Sequence, residues 1–230
     1  MDKKAVNDNS PYVVTIDGPG GSGKGSLALS VAKELGLHLL DSGAIYRLLA
    51  LKAMREGVDL DDEEALVELV DALDIRFETG DELSIPLLDN EDVSAVLRTE
   101  DTGDAASRVA RHGPVRSALL AVQQAFFEAP GLVADGRDMG TVVFPEARFK
   151  FFLYASVEIR AQRRYKQLIN MGLSASIPQL QADMTERDER DRNREASPLL
   201  PAEDALVVDS SLLDLNQVTE LVLSHIRDSA

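Results

Sequence analysis

The sequence predicts a doubly wound α/β fold built on a five-stranded parallel sheet. Short apolar runs alternate with amphipathic stretches of helical period, and a glycine-rich turn follows the first apolar run at once. Residues 13–17 read as the first strand. From Gly25 the apolar residues Leu27, Val31, Ala32 and Leu35 recur at helical spacing, and Gly36 stops the helix. Residues 37–41 read as the second strand, and Ser42 as the N-cap of a helix that buries Ile45, Leu48, Leu49 and Met54 and ends at Gly57.

The rhythm then breaks. After a helix with Leu66, Leu69, Val70 and Leu73 on one face, residues 75–77 and 83–88 read as short strands around a turn at 79–81, with Pro86 favouring a sheet edge. These mark a small inserted α+β unit at about 65–105. A helix from about 114 to 128, opened by Pro114 and carrying Val115, Leu119, Val122 and Phe126, restores the pattern. Strands at 132–135 and 149–154 follow. Two charged helices at 156–170 and 178–194 flank Met171-Gly172-Leu173, and a strand at 205–209 and a helix at 215–226 close the chain. In such a sheet ligands bind at the carboxyl ends of the strands. The chemistry is therefore expected just after Asp17, Asp41, Asp135, Tyr154 and Asp209.

Composition narrows the function classes. The chain has 230 residues, 44% of them hydrophobic, enough for one domain with an insertion. Twenty-four Lys and Arg against forty Asp and Glu leave a net charge of −16, which repels nucleic acid and anionic membranes; neither is an expected partner. The sequence contains no cysteine, so disulfides, thiolate nucleophiles and Cys-based zinc sites are excluded. His38, His112 and His225 lie far apart and show no ligand spacing, so no His-based metal site is expected. No apolar run approaches the ~18 residues of a spanning helix. Residues 1–12 form a polar extension without the apolar core of a secretory signal, so a cytoplasmic location is expected. The acidic run 59–64 lacks the calcium-loop pattern and reads as a helix start complemented by negative charge.

Gly18-Pro19-Gly20-Gly21-Ser22-Gly23-Lys24 contains G-x-x-x-x-G-K between a predicted strand and a predicted helix. That is the phosphate loop, in which backbone N–H groups cradle phosphate oxygens, the helix N-terminus adds positive potential and Lys24 reaches the β and γ phosphates. The same residues spell G-x-G-x-x-G at Gly18, Gly20 and Gly23, and Asp41 imitates the ribose-binding acid of a dinucleotide fold. A dinucleotide site and an unliganded turn are the alternatives, and Lys24 favours the phosphate loop. Gly25, not Ser or Thr, follows Lys24, so the hydroxyl expected for Mg²⁺, directly or through water, moves to Ser26. This G-K-G-[ST] spelling resembles the nucleoside monophosphate kinases.

Three further segments are candidates, each with a structural alternative. Asp41-Ser42-Gly43-Ala44-Ile45-Tyr46-Arg47 can bring a helix N-terminus, a hydroxyl and a guanidinium onto a phosphate, or be a plain cap with a surface Arg. Asp135-Gly136-Arg137-Asp138-Met139-Gly140-Thr141 suits close approach of backbone to ligand, or a turn with a local ion pair. In residues 187–194, helical geometry puts Arg187, Arg190, Asp191 and Arg194 on one face, which is either a site or a solvated salt-bridged surface.

Together I-D-G-P-G-G-S-G-K-G-S, L-L-D-S-G-A-I-Y-R, A-D-G-R-D-M-G-T-V-V-F-P and E-R-D-E-R-D-R-N-R closely resemble the bacterial cytidylate kinase family, from about residue 13 to the last helix. Gly20 and Ser26 stand where relatives often have Ser and Thr. The resemblance implies a nucleoside monophosphate kinase fold, with an insert in the monophosphate-binding region and transfer of the γ-phosphoryl group of ATP to CMP or dCMP. ATP with Mg²⁺ and CMP or dCMP are thus the expected partners, and a monomer is the expected state. It implies that Gly18, Pro19, Gly20, Gly21, Ser22, Gly23, Lys24, Gly25 and Ser26 hold the ATP phosphates, joined by Arg163 and Arg164. It likewise implies that Ser42, Tyr46, Arg47, Ser107, Arg116, Arg137, Asp138, Arg187, Asp191 and Arg194 surround the monophosphate. Within that set Arg116 with Asp138 suits the cytosine edge, Ser107 and Asp191 the sugar hydroxyls, and Arg47, Arg137 and Arg194 the acceptor phosphate. Lys24 and Arg187 suit the group in flight, so Lys24, Arg137, Arg187 and Arg194 are the expected catalytic residues. The helical pair carrying Arg160, Arg163 and Arg164 is expected to be a mobile lid at about 160–180, with an ordinary charged hairpin as the alternative.

Overall fold

A computed structural model describes residues 10–78 and 85–229. Most of the polar extension and the expected turn at 79–81 lie outside the described residues. Five parallel strands form the main sheet: β1 (Tyr12–Asp17), β2 (His38–Asp41), β6 (Gly131–Gly136), β7 (Phe149–Tyr154) and β8 (Leu206–Asp209), in the order β2-β6-β1-β7-β8. The numbers between are taken by β3 (Ile75–Glu78), β4 (Ile85–Leu88) and β5 (Glu91–Asp92), a separate antiparallel sheet. β1 sits in the middle because both its faces are covered, and only Tyr12 at its start is not buried. Its register puts Asp17 opposite Gly136 on one side and Phe152 on the other, and Asp41 lies opposite Asp135. The strand ends that carry chemistry therefore line one edge.

Helices α1 (Lys24–Leu35) and α9 (Leu215–Ser229) cover one face, where Leu27, Val31, Phe151 and Val222 pack together. Helices α2 (Ser42–Glu56), α3 (Glu63–Asp71) and α6 (Gly113–Gln124) cover the other, around Ile45, Leu49, Leu66, Leu119 and Met139. Between these stand α4 (Ser94–Leu97) and α5 (Glu100–Val109), and the charged helices are α7 (Val157–Asn170) and α8 (Ile177–Asn193). A smaller core of Leu48, Leu51, Leu88, Val93 and Leu97 joins α2 to the antiparallel sheet.

Three local expectations need correcting. The N-cap of α2 is Asp41, whose carboxylate accepts from the Ala44 N–H at 3.0 Å, and Ser42 is the first helical residue with its hydroxyl turned elsewhere. Both residue types cap well, and the extended backbone at Asp41 decides. Met54 is 40% exposed, because the buried arc through Ile45 and Leu49 runs on to Lys52 and Ala53. Pro86 lies in the central strand of the small sheet, not at its edge. Its carbonyl accepts from Val93 N–H at 3.1 Å on the β5 side, so its missing donor also faces a partner strand only two residues long. β5, α4, α5 and a π-helical turn, Met139–Val143, have no counterpart among the sequence-derived elements.

Candidate active site

The turn between β1 and α1 is built from backbone. At Gly18 (φ +152°) a Cβ would stand 2.1 Å from the Leu153 carbonyl oxygen of β7, so only glycine lets the loop leave the sheet this close to its neighbour. Arg163 and the Ser210 hydroxyl both donate to the Ser22 carbonyl, at 3.3 and 3.2 Å. Arg160, grouped by sequence with the lid residues, is 2% exposed and donates to Gly20 O at 2.9 Å while pairing with Asp188 of α8 at 2.5 Å. Loop carbonyls of Gly20 and Ser22 are thus held by side chains of α7 and its neighbours, and the Ser22 N–H donates back to Pro19 O at 3.5 Å; a glycine turn fixed in this way can present its remaining N–H groups to an anion. Arg164 is not brought to the loop; it pairs with Glu100 at 2.6 Å and donates to Arg98 O.

Gly25 has a packing reason. A Cβ there would stand 3.1 Å from Asp135 Oδ2, so Asp135 lies directly against the first turn of α1, beside Lys24 and Ser26. Lys24 Nζ is 3.7 Å from Asp135 Oδ1, too far for a hydrogen bond. Burial, together with Arg137, lowers the Lys24 ammonium to about 8 against the pull of Asp135. Burial likewise raises the Asp135 carboxyl to about 6 despite Lys24. A buried carboxylate oxygen without a hydrogen-bond donor, packed against Gly25 with the exposed Ser26 next in sequence, offers oxygen donors of the kind Mg²⁺ takes while keeping waters and phosphate oxygens. Ser26 and Asp135 therefore fit a Mg²⁺ that arrives with a nucleotide. Among the described residues no cluster of three His, Cys, Asp or Glu could hold an ion by itself.

The facing wall is made of side chains from four helices and one loop. Ser42, Tyr46, Ser107, Arg116, Arg137, Asp138, Arg187, Asp191 and Arg194 line one cleft. A second groove lies around Tyr12, Phe127 and Phe144 near the start of β1, and none of the cleft residues lines it. At one end of the cleft Arg116 forms a buried, short ion pair with Asp138, donates to Ala110 O at 3.0 Å and lies 5.3 Å from the Tyr46 ring centroid. Asp191 accepts from the Ser107 hydroxyl at 3.2 Å and from Arg137 Nε at 3.0 Å. Burial opposes its charge, but Arg137, Arg187 and Arg194 outweigh burial and hold its carboxyl below the ordinary range.

At the other end Arg47, Arg137 and Arg187 converge. Arg47 donates to Leu97 O at 2.7 Å. A Cβ at Gly103 would come within 3.1 Å of the Arg47 guanidinium and 3.4 Å of Arg187, and one at Gly20 would stand 3.5 Å from Arg137. Arg187 forms no hydrogen bond or ion pair with the described residues, and its Nε is buried. Burial and the repulsion of Arg137 pull it down to about 10. Arg116 Nε and Arg194 Nη2 are also buried without partners, while the Tyr46 hydroxyl interacts with the Gln123 side chain. Unpaired buried donors around one cavity mark a site for a polar, anionic ligand. Arg190 instead turns outward to Asp104 and Glu186.

Several residues that matter here are not among the site residues expected from sequence. Asp17 is buried and accepts from the Met139 and Gly140 N–H groups, each at 2.8 Å, so it fixes the loop bearing Arg137 and Asp138 to the root of the glycine turn. Burial raises its carboxyl to about 7 against those two bonds. Asp188, Gly103 and Gln123 act similarly behind the visible groups. Only Asp17 lies where a sequence rule points, at the end of the first strand.

A phosphate loop at the carboxyl edge of a parallel sheet, facing a cleft of guanidinium groups, defines a P-loop phosphotransferase. The cytidylate kinase family model matches residues 14–228. A cytidylate kinase of Aeromonas hydrophila is 55% identical over 213 residues, 93% of each chain. One of Vibrio vulnificus is 56% identical over 214 residues, 93% of this chain and 95% of its own. One of Klebsiella pneumoniae is 54% identical over 216 residues, 94% and 95%. Among solved structures a shikimate kinase from Acinetobacter baumannii aligns at TM-score 0.47 and 15% identity, over 96% of this chain and 95% of its own. The chain belongs to the cytidylate kinase family.

Proposed function

We propose how this chain divides the work of its family's reaction, transfer of the γ-phosphoryl group of ATP to CMP or dCMP to give ADP and CDP or dCDP. The observation that supports the division is the row of unpartnered donors at one end of the cleft and the Arg116–Asp138 pair at the other. Residues 18–26 receive the ATP phosphates, with Arg163 behind them. Arg116 and Asp138 read the cytosine edge, and Ser107 and Asp191 take the sugar hydroxyls. Arg47, Arg137 and Arg194 hold the acceptor phosphate, while Lys24 and Arg187 follow the phosphoryl group from donor to acceptor. Ser26 and Asp135 would hold a Mg²⁺ arriving with ATP, and when bound it would supply part of the charge neutralisation.

The acceptor phosphate has a second pKa near 6 and is largely dianionic at neutral pH, so no general base is required. Catalysis is then alignment of the acceptor oxygen with the γ phosphorus and neutralisation of charge spread over the transferring oxygens. Two nucleotides bring roughly six negative charges into a protein already at −16. A local focus of Lys24, Arg47, Arg137, Arg187 and Arg194 answers that repulsion. The helices around residues 160–180 close over ATP and keep water from the γ phosphate. The inserted unit at about 65–105 supports the monophosphate end. The protein works as a cytoplasmic monomer with no nucleic-acid or membrane partner, in keeping with its charge.

The test is formation of ADP and nucleoside diphosphate from Mg-ATP with CMP, dCMP, UMP and AMP in separate reactions. Turnover confined to CMP and dCMP is expected; comparable turnover with AMP would overturn the base assignment.

A further inference from the structure

Gln123 sits behind the base end of the cleft. It is 1% exposed and shares a face of α6 with Arg116, seven residues earlier. The orientation of its amide is fixed by its neighbours. Nε2 donates to Leu119 O at 3.3 Å, which only the nitrogen of the amide can do. Oε1 therefore turns toward α2, where it accepts the Ser42 hydroxyl proton at 2.7 Å. Ser42 lines the cleft beside Tyr46, Arg116 and Asp138. Tyr46, one helical turn on, lies against the Arg116 guanidinium. The Ser42 hydroxyl thus stands at the Arg116–Asp138 end, and its one proton is already committed.

A hydroxyl has one proton to give and two lone pairs. With the proton held by Gln123, Ser42 shows the cleft lone pairs only. We propose that Gln123 is a specificity-determining positioning residue: by holding the Ser42 proton it makes Ser42 an obligate acceptor, which suits a 4-amino pyrimidine and refuses a 4-keto one. This rests on the reading that the Arg116–Asp138 end receives the base. The exocyclic amine of cytosine donates, whereas the 4-oxygen of uracil only accepts. Uracil at this point would set two acceptors against each other, or draw the Ser42 proton away and leave Gln123 Oε1 with the Tyr46 hydroxyl as its one remaining donor. Ser42 on its own is indifferent, because a free hydroxyl can rotate to donate or accept. Gln123 removes that freedom.

The experiment measures kcat/KM for CMP and UMP in the wild type, Gln123→Leu, Gln123→Glu, Ser42→Ala and the Gln123→Leu/Ser42→Ala double variant. The CMP:UMP ratio should fall by about tenfold or more in Gln123→Leu, chiefly through a gain with UMP. It should stay near the wild-type value in Gln123→Glu, which keeps an acceptor oxygen against Ser42. In the Ser42→Ala background, Gln123→Leu should change the ratio no further, a result that mere loss of packing would not give. An unchanged ratio in Gln123→Leu, or an equal shift with and without the Ser42 hydroxyl, would overturn the proposal. Gln123→Met serves the same comparison if the Leu variant does not fold. Failure of the wild type to phosphorylate CMP at all would instead strike the underlying reading of the site.

Discussion

The two ends of the cleft are built on opposite principles. The end proposed for ATP is backbone: nine consecutive residues, Gly18 to Ser26, shaped by glycine and held from outside by Arg160, Arg163 and Ser210. The end proposed for the monophosphate is side chain: Arg116, Arg137, Asp138, Arg187, Asp191 and Arg194 reach in from α6, the loop after β6 and α8. A backbone cradle recognises a phosphate chain, which every nucleoside triphosphate shares. A side-chain pocket can tell one base from another, at the cost of burying charges that must be paired or left strained until ligand arrives. The difference predicts where mutations fall on stability and where they fall on chemistry.

The largest expected effect joins the two ends. Asp188→Ala leaves Arg160 buried and unpaired between the glycine loop and α8, and should cost about 3–5 kcal/mol of unfolding free energy by chemical denaturation. A loss within measurement error would show that the ends are not mechanically linked through this pair. Next comes Arg187→Met. It removes a cation that only the transferring group would satisfy, so kcat should fall roughly 10²–10³-fold. Thermal stability of the nucleotide-free protein should hold or rise, because burial and Arg137 disfavour that charge. Parallel loss of both would make Arg187 a structural residue.

The hinge between the ends gives a pH signature. A carboxyl raised from 3.8 to about 7 in the fold favours the folded state while protonated, and that favour is present below about pH 4 and lost as pH rises through 7. Stability of the wild type relative to Asp17→Asn should therefore decline between about pH 4 and 7 and level off above. Melting curves of both proteins across that range would show it, and a constant difference would refute it. The smallest effect is the most diagnostic of the side-chain end. Gly103→Ala should gain about 0.5–1 kcal/mol from helix propensity yet raise KM for CMP several-fold, since the new methyl crowds Arg47 and Arg187. A stability gain with unchanged KM would show that the two guanidinium groups yield freely.

The same contrast explains what the sequence could say. The main sheet and its helices follow from apolar period and glycine stops, and the glycine loop is legible because its residues are contiguous. Where two capping residues stood side by side, as at Asp41 and Ser42, local rules could not choose between them. The monophosphate end is predicted from sequence only through family resemblance, because each of its segments taken alone also reads as a cap, a turn or a charged surface. Behind it, Ser42 meets Gln123 across 81 residues and Asp17 meets Gly140 across 123. No spacing rule spans such distances. Gly103 is hidden for another reason: a glycine inside a helix is read as a weakness until the guanidinium groups resting on it are seen.

The most direct test of this division is calorimetric binding of CMP to Lys24→Ala beside its turnover with Mg-ATP. Lys24 belongs to the backbone end and touches no atom of the base pocket in this account. Near-complete loss of phosphoryl transfer with CMP binding within a few-fold of wild type is the predicted result. Equal loss of transfer and of CMP binding would contradict it.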